Sequence, residues 1–294
     1  MKVAVIMNAG AGAGASGDDR TETIKAAFAA AGVEIELHPT PPDELVATAK
    51  RLACTSVDAV IAAGGDGTVS AVAGALAGGE MPLGVMPLGT LNHFAHDLGM
   101  PDDLAAAALL IAACKLQKVD VGEVNGRVFI NNSSVGLYPE TVISRDEEQA
   151  RNGRGKWSAM LLASARVMKR FPLLAVSVAL PGRNLLAKTP LIFVGNNEYT
   201  INALQLGKRA RLDAGHLSLY LMRCKGRLGM FSLMVRAILQ RLEAIQDFEA
   251  ETAEAVVVRL RHRRLNVALD GEVVRMSSPL YYKIRPGALS VIVP

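Results

Sequence analysis

Residues Ala62–Leu76, AAGGDGTVSAVAGAL, join an apolar run to an apolar-periodic helix through a glycine turn that carries one carboxylate. The run VDAVIAA is typical of a buried strand, and Val69, Val72, Ala73 and Leu76 recur at helical spacing. Glycine lets a backbone turn sharply and approach a ligand closely. The stretch therefore predicts a strand, a tight turn and a helix, with the aspartate at the carboxyl end of the strand. Open α/β sheets bind their ligands at that edge.

Strand and helix signals alternate on both sides of this stretch, through about the first 120 residues. The strand-like runs are KVAVIM, VEIELH, VDAVIAAGG and MPLGVMPLG, and the segments between them carry apolar residues at helical spacing. Such alternation is typical of βαβ units with right-handed crossovers and a largely parallel sheet. We therefore predict a Rossmann-like parallel α/β domain over residues 1–122.

The hydrophobic period changes in the second part of the chain. Strand-like runs dominate there, and alternation with a period of two is visible at Val256, Val258 and Leu260. We predict an antiparallel, β-sandwich-like domain over residues 123–294, with a C-terminal tail that packs back on the first domain. Two helical stretches interrupt it, at 155–171 and 227–245.

Composition argues against several classes of protein. The 294 residues carry a net charge of only +4 and are 4% aromatic, which does not indicate a nucleic-acid partner. The N-terminal apolar run is too short for a signal peptide, and no apolar stretch approaches the ~18 residues of a membrane span. Cys54, Cys114 and Cys224 are far apart, which predicts free thiols in a cytoplasmic protein. The oligomeric state is left open, with a homodimer as one option.

Two basic segments bear on membrane contact. The helical stretch 227–242 places Leu228, Phe231 and Val235 on one face with arginines around it, and such a helix either packs on its own domain or lies on an anionic membrane. The run RLRHRRL, residues 259–265, is typical of a solvated hairpin face that could also meet anionic headgroups. Peripheral association with the inner membrane surface is therefore one expectation.

A glycine-rich stretch near the N-terminus, residues 12–17, fits the dinucleotide fingerprint GxGxxG. That fingerprint also requires an acid at the end of the second strand, where this chain has His38, Pro39 and Thr40. A nicotinamide or flavin site is therefore disfavoured. The remaining readings are a flexible loop and a phosphate-contacting loop, because exposed N–H groups near a helix start attract anions.

The role of Asp66 depends on a second glycine turn. Asp-Gly is by itself a common turn dipeptide, but the next strand also ends in a polar turn with Gly89, Thr90 and Asn92. Because neighbouring parallel strands end at the same edge, we expect both turns on one rim. Amide donors and one carboxylate suit the phosphates of a nucleotide and its Mg²⁺. Thr68 is predicted to cap the helix after the first turn.

These motifs together resemble the catalytic-domain family of diacylglycerol kinases, which includes sphingosine kinases and bacterial lipid kinases. The resemblance covers nearly the whole chain. GGDGT alone is shared with NAD kinases and phosphofructokinases, so the ordered set is more specific. The matching segments are GGDGT at 64–68, PLGTLNHFA at 87–95, VGNNEYT at 194–200, ARLDAGHLSLYL at 210–221 and LDGEVV at 269–274.

The resemblance implies an ATP- and Mg²⁺-dependent lipid kinase that phosphorylates a diacylglycerol-like or sphingoid hydroxyl at a membrane surface. Asp66 would orient the nucleotide and magnesium, and Glu272 would be the general base toward the acceptor hydroxyl. From spacing alone, Asp270-Gly271-Glu272 is an ordinary hairpin turn. The residues implied to bind ATP are Asn8, Gly10, Gly12, Gly64, Gly65, Asp66, Gly67, Thr68, Gly89, Thr90 and Asn92.

The chain also departs from the family pattern. His93 stands where the family usually has aspartate, and Ala214 replaces one carboxylate of a structural metal site, which leaves Asp213 as the implied metal ligand. The segment INALQLGKR replaces a usual glycine-rich stretch. Two alternatives therefore stay open. One is a soluble kinase of NAD or a sugar phosphate, which GGDGT alone would support. The other is a non-catalytic nucleotide- or lipid-binding protein.

Overall fold

The computed structural model describes residues 1–8, 17–136, 174–202, 205–222, 248–261 and 263–294. In the first half, strands and helices follow one another as the sequence predicts. The elements are β1 (Lys2–Asn8), α1 (Gly17–Ala30), β2 (Glu34–Thr40), a 3₁₀ turn (Pro42–Glu44), α2 (Leu45–Leu52), β3 (Ala59–Gly64), α3 (Asp66–Leu76), β4 (Leu83–Pro87), α4 (His93–Asp97) and α5 (Leu104–Ala113).

The first four strands form a parallel sheet in the order β2-β1-β3-β4. All residues of β3 and β4 are buried, as expected for a parallel sheet covered by helices on both faces. The strand order reverses between β1 and β3, because the chain first adds β2 on one side of β1 and then β3 on the other. Ligands of open α/β sheets bind outside the carboxyl ends of the strands at such a switch point.

The second half of the described chain consists of antiparallel strands. They are β5 (Leu116–Val124), β6 (Arg127–Phe129), β7 (Asn132–Gly136), β8 (Leu174–Leu180), β9 (Arg183–Thr189), β10 (Leu191–Asn196), β11 (Tyr199–Asn202), β12 (Gln205–Arg209), β13 (Leu217–Met222), β14 (Phe248–Ala253), β15 (Ala255–Leu260), β16 (Arg264–Leu269), β17 (Glu272–Ser277) and β18 (Leu280–Ile292).

Two sheets pack face to face in this half. One is a six-stranded sheet in the order β14-β13-β10-β7-β16-β17, and the facing sheet includes β8, β9, β15 and β18. Their shared core contains Val178 and Val258 from one sheet and Val194 and Val267 from the other. The α/β fold class with a parallel N-terminal sheet and an antiparallel, sandwich-like second part is thus confirmed.

The last strand connects the two halves. In β18, Val291 pairs in parallel with Leu83 of β4, and the strand also pairs antiparallel with β5 and β15. A ten-stranded sheet therefore runs from the parallel strands into the sandwich. Because β5 crosses the position at which we divide the chain, the division after residue 122 stays a prediction.

Some sequence predictions fall outside the described residues. The helical stretches 155–171 and 227–245 and the thiol Cys224 are among them, so their predicted roles are untested. Cys54 and Cys114 are free thiols. Among the residues that the structure describes, no helix is long and apolar enough to cross a membrane.

Candidate active site

The first glycine turn leads directly from β3 into α3. Gly65 is the N-cap residue and has no side chain that could cap the helix, which leaves the backbone N–H groups of its first turn without a bond from the N-cap side chain. The predicted cap, Thr68, is wrong in that role because it lies inside the helix. Its buried side chain occupies the space next to Gly64, where an added Cβ would lie 2.5 Å from the Thr68 hydroxyl. Glycine at position 64 thus makes room for Thr68.

The second glycine turn, after β4, is braced by one asparagine. The N–H of Gly89 donates to Oδ1 of Asn92 at 2.9 Å, and Nδ2 of Asn92 donates back to the Gly89 carbonyl at 3.0 Å. Asn92 adopts a left-handed conformation, with φ of 48°, which asparagine tolerates better than most residues. The predicted residue Thr90 is exposed on this turn.

The two turns touch each other, as the sequence predicts for neighbouring parallel strands. An added Cβ on Gly89 would lie 2.6 Å from the Cα of Gly65. Oδ1 of Asp66 accepts a hydrogen bond of 2.8 Å from the backbone N–H of His93. His93 therefore takes part through its backbone, a contact that does not depend on its side chain. Asp66 thus links the two turns. Together the turns form one continuous edge of the sheet, which we call the rim.

This close approach predicts a stability effect at Gly89. A Gly89→Ala substitution should lower the free energy of unfolding by about 1–3 kcal/mol, because the new methyl group would collide with backbone atoms that cannot move independently. Urea denaturation measures the change. Gly65→Ala is the matched control, since its Cβ would lie 3.4 Å from Gly89 and should cost less. Equal stability of the Gly89 variant and the unmodified protein would contradict this packing.

The predicted general base lies beside the first turn. Glu272 follows a two-residue hairpin between β16 and β17, in which Asp270 has φ of 47° and Gly271 has φ of 91°. These angles are typical of a tight type I′ turn. The Oε1 atom of Glu272 lies 3.6 Å from the position that a Cβ on Gly67 would occupy. The hairpin thus carries an exposed carboxylate to the N-terminal end of α3.

The structure describes some of the remaining predicted site residues and not others. Asn8 ends β1, at the same sheet edge as the two turns, and Gly10 and Gly12 lie outside the described residues. Asp213 accepts a hydrogen bond of 3.0 Å from Arg211, which lowers the pKa of the Asp213 carboxyl. Among the described residues, no three His, Cys, Asp or Glu side chains cluster as metal ligands. The metal role of Asp213 stays a prediction.

Asp270 is a buried carboxylate that sequence reasoning missed. Burial raises the pKa of the Asp270 carboxyl, while hydrogen bonds from Ser70 and from backbone N–H groups oppose that shift. The Ser70 hydroxyl belongs to α3 and donates to Asp270 at 2.5 Å. The sequence contained one signal for this residue, its position in the Asp-Gly-Glu turn, but that turn by itself predicted only a hairpin.

Arg209 is a second buried group that the sequence did not single out. Its side chain is fully buried and pairs with Asp97 at 2.8 Å, at the end of α4. The guanidinium also lies 5.9 Å from the ring centroid of Phe94 and 5.5 Å from that of Tyr199. Burial raises the pKa of Tyr199 to about 12, with Arg209 acting in the opposite direction. No local pattern marks this arginine, because its partners are far away in the sequence.

The fold and the rim together define the class of the protein. A parallel α/β sheet presents two glycine turns and a carboxylate, and an antiparallel sandwich places a second carboxylate beside them, an arrangement suited to phosphoryl transfer. Residues 2–124 match the Diacylglycerol kinase catalytic domain, and residues 139–293 match the YegS C-terminal NAD kinase beta sandwich-like domain. The chain belongs to the diacylglycerol kinase catalytic-domain family. The predictions of this family, of a lipid kinase as its class and of an enzyme are confirmed.

Individual relatives match different lengths of the chain. A Pseudomonas aeruginosa (strain PAO1) protein named Probable lipid kinase YegS-like is 30% identical, over 93% of this chain and 90% of the relative. The Diacylglycerol kinase of Bacillus subtilis (strain 168) is 39% identical over 38% of this chain and 39% of its own. The crystal structure of a diacylglycerol kinase from Bacillus anthracis str. Sterne shows the same fold, with a TM-score of 0.71 and 23% identity over 100% of this chain and 97% of that chain.

Proposed function

We propose that this protein transfers the γ-phosphate of ATP to the hydroxyl of a diacylglycerol-like or sphingoid lipid. The observation that carries the proposal is the position of Glu272. Its carboxylate reaches the first turn of α3, next to Asp66 on the nucleotide rim. Phosphoryl transfer needs the acceptor oxygen close to the γ-phosphate, with a group nearby that takes its proton. A base beside the phosphate turn meets that requirement.

The rim residues fit a nucleotide with Mg²⁺. The uncapped N–H groups at the start of α3 can receive phosphate oxygens, and the helix dipole favours negative charge there. Only Oδ1 of Asp66 accepts a hydrogen bond from a described residue, so Oδ2 can face a cation. Mg²⁺ commonly uses one or two carboxylates together with substrate phosphates. Asp66 would therefore hold the ion, which neutralises phosphate charge when bound.

The chain's own residues would perform the remaining steps. Asn8 and the turns of Gly65 and Gly89 would orient the phosphates through backbone and amide groups. Glu272 would accept the proton of the acceptor hydroxyl as its oxygen attacks the γ-phosphorus. The proton then resides on the Glu272 carboxyl, and ADP leaves from the rim.

A lipid-panel kinase assay tests the proposal. The full chain is incubated with γ-labelled ATP, Mg²⁺ and mixed micelles that contain diacylglycerol, sphingosine or a control phospholipid without a free hydroxyl. Mass spectrometry identifies the product. A phosphorylated diacylglycerol or sphingoid base is expected. Phosphorylation of NAD or a sugar phosphate in the absence of micelles would instead support the soluble-kinase alternative. Nucleotide binding without transfer to any acceptor would support the non-catalytic one.

The soluble-kinase alternative, which rests on GGDGT alone, is accompanied by a distant likeness in fold. The crystal structure of yeast NADH kinase complexed with NADH has a TM-score of 0.56 and 9% identity, covering 100% of this chain and 84% of that chain. Identity this low reflects a shared fold. The match to the diacylglycerol kinase catalytic domain and the similarity to proteins named lipid kinases favour the lipid kinase.

A basic, partly apolar sheet face is our candidate for membrane contact. Across the outer face of β9, β8 and β15, Leu186, Ser177 and Arg259 stand in one register row. Leu186 is 85% exposed, and Lys188 and Arg259 help to line a shallow groove beside it. Cations near an exposed apolar side chain favour a surface of anionic lipid.

Neutralising this face should weaken binding to anionic vesicles. The double variant Lys188→Gln/Arg259→Gln is expected to lose about 2 kcal/mol, roughly 30-fold in affinity, because each cation near such a surface contributes about 1 kcal/mol. Cosedimentation with phosphatidylserine-containing vesicles measures the change. The control, Lys50→Gln/Arg51→Gln, removes two exposed charges from α2 and should bind as the unmodified protein does. Equal loss in both variants would contradict a localised docking face.

A further inference from the structure

The segment Ile130–Asn132, at the start of β7, is held on one side by a buried carboxylate. Oδ1 of Asp270 accepts the second and third N–H groups of the segment at 2.8 and 2.9 Å, and Oδ2 accepts the first at 2.9 Å. The N–H of Asp270 donates in turn to the Asn132 carbonyl at 2.9 Å. Consecutive backbone N–H groups that converge in this way bind an anion. All these contacts to the carboxyl oxygens are donors, as an ionised aspartate requires.

The same segment is held on its other side by a buried cation. Nη1 of Arg209 donates to the Ile130 carbonyl at 2.6 Å, and Nη2 donates to Oδ1 of Asn131 at 2.8 Å. Nη1 also donates to the carbonyl of Asn196 at 3.2 Å. The planar guanidinium presents several donors in fixed directions, so these bonds determine the position of the segment as well as its stability.

Each of the two charged residues also reaches one helix of the nucleotide rim. The hydroxyl of Ser70, four residues after Asp66 in α3, donates to Asp270. The carboxylate of Asp97, four residues after His93, pairs with Arg209. In both helices the first residue builds the rim and a residue one turn later bonds to the second half of the chain.

Resting on the proposed function, we propose that Asp270 and Arg209 are positioning residues that fix Glu272 relative to the nucleotide rim. Asp270 is only two residues from Glu272, and the tight turn between them leaves little freedom. The hydrogen bond from Ser70 therefore sets the distance between the hairpin and α3, while Arg209 fixes the segment on which Asp270 rests. Sub-ångström placement of a base governs how often the acceptor reaches an attacking geometry.

Ser70→Ala is the sharpest test, because it removes the bond from α3 to the hairpin and leaves the three backbone bonds of Asp270 intact. We expect kcat to fall about tenfold while the KM for ATP changes less than twofold. Ser70→Thr, which keeps the hydroxyl, should restore most of the activity. A loss of stability alone would leave the kcat of the folded enzyme unchanged, and that result would overturn the proposal.

A double-mutant cycle shows whether Ser70 acts through Glu272. In a Glu272→Gln background, Ser70→Ala should have no further effect on the residual rate, because the group that it positions is gone. An equal tenfold loss in that background would overturn the proposal. Arg209→Lys, which loses the planar fork, should repeat the kcat effect of Ser70→Ala from the opposite side of the segment.

Hydrogen exchange separates a failure of this inference from a failure of the proposed function. The amide groups of the hairpin, residues 268–273, should exchange at least about fivefold faster in Ser70→Ala than in the unmodified protein, with no substrate present. Unchanged exchange would overturn the positioning role even if the protein phosphorylates lipids. Faster exchange in a protein that phosphorylates no acceptor would support the positioning role of Asp270 and Arg209 and reject the proposed function.

Discussion

Replacing Glu272 with glutamine is expected to lower kcat for lipid phosphorylation by about 10²–10⁴-fold, the usual contribution of a positioned general base. Glutamine has nearly the shape of glutamate and follows the same two-residue turn, so the hairpin should keep its structure. The amide cannot accept the proton of the acceptor hydroxyl. Steady-state kinetics with γ-labelled ATP and a phosphorylated lipid product measure the loss.

The KM for ATP should change little, because the proposed nucleotide contacts lie on the rim and not on the hairpin. Glu254→Gln is the matched control, since it neutralises another exposed glutamate of the same sandwich. It should retain full activity. If Glu272→Gln keeps more than a tenth of the activity, Glu272 is not the base, and another group must take the proton.

The rim could be predicted from the sequence because its signals are local. Glycines in GGDGT and PLGT mark where two strands end, and neighbouring parallel strands must end at the same edge. The structure brings these turns into contact at Gly65 and Gly89. The role of Thr68 was wrong for an equally local reason. A threonine two residues after Asp66 can serve as a cap only if the helix begins later, and here the helix begins at Asp66 itself.

The connection between the two halves could not be predicted, because it depends on contacts that are distant in sequence. Ser70 and Asp270 are 200 residues apart, and Arg209 and Asp97 are 112 residues apart. From the sequence, Ser70 is an ordinary half-exposed serine in a helix whose apolar residues recur at helical spacing. Only the packing of α3 against the hairpin makes its hydroxyl the partner of a buried carboxylate.

His93 stands where the resemblance to the family implies aspartate, and we expect this departure to leave the structure of the rim in place. The contact that joins the two turns uses the backbone N–H of residue 93, which any residue other than proline supplies. The carboxylate in that contact comes from Asp66. Relative to the family pattern that the resemblance implies, we therefore expect one negative charge fewer on the exposed side of the rim and an unchanged hydrogen bond between the two turns.

Asp66→Asn is expected to lower kcat/KM for ATP by about 10²–10³-fold, the scale of losing one preorganised electrostatic contact at a reacting centre. The amide oxygen of asparagine can still accept the N–H of His93, so the rim should keep its geometry. What is lost is the charge that we propose holds Mg²⁺ with the phosphates. The effect should therefore lessen as the Mg²⁺ concentration rises, and a Mg²⁺ titration of the rate measures this.

Glu80→Gln is the control for a change of charge alone. Glu80 is exposed and lies in the loop between α3 and β4, at the opposite end of α3 from the glycine rim. Its rate and Mg²⁺ dependence should match those of the unmodified protein. If Asp66→Asn retained full activity at every Mg²⁺ concentration, the carboxylate of the opening GGDGT stretch would be a turn residue, and the metal would have to be held by the nucleotide and by other groups. A loss that Mg²⁺ does not relieve would instead assign Asp66 to the frame of the rim through its bond to residue 93.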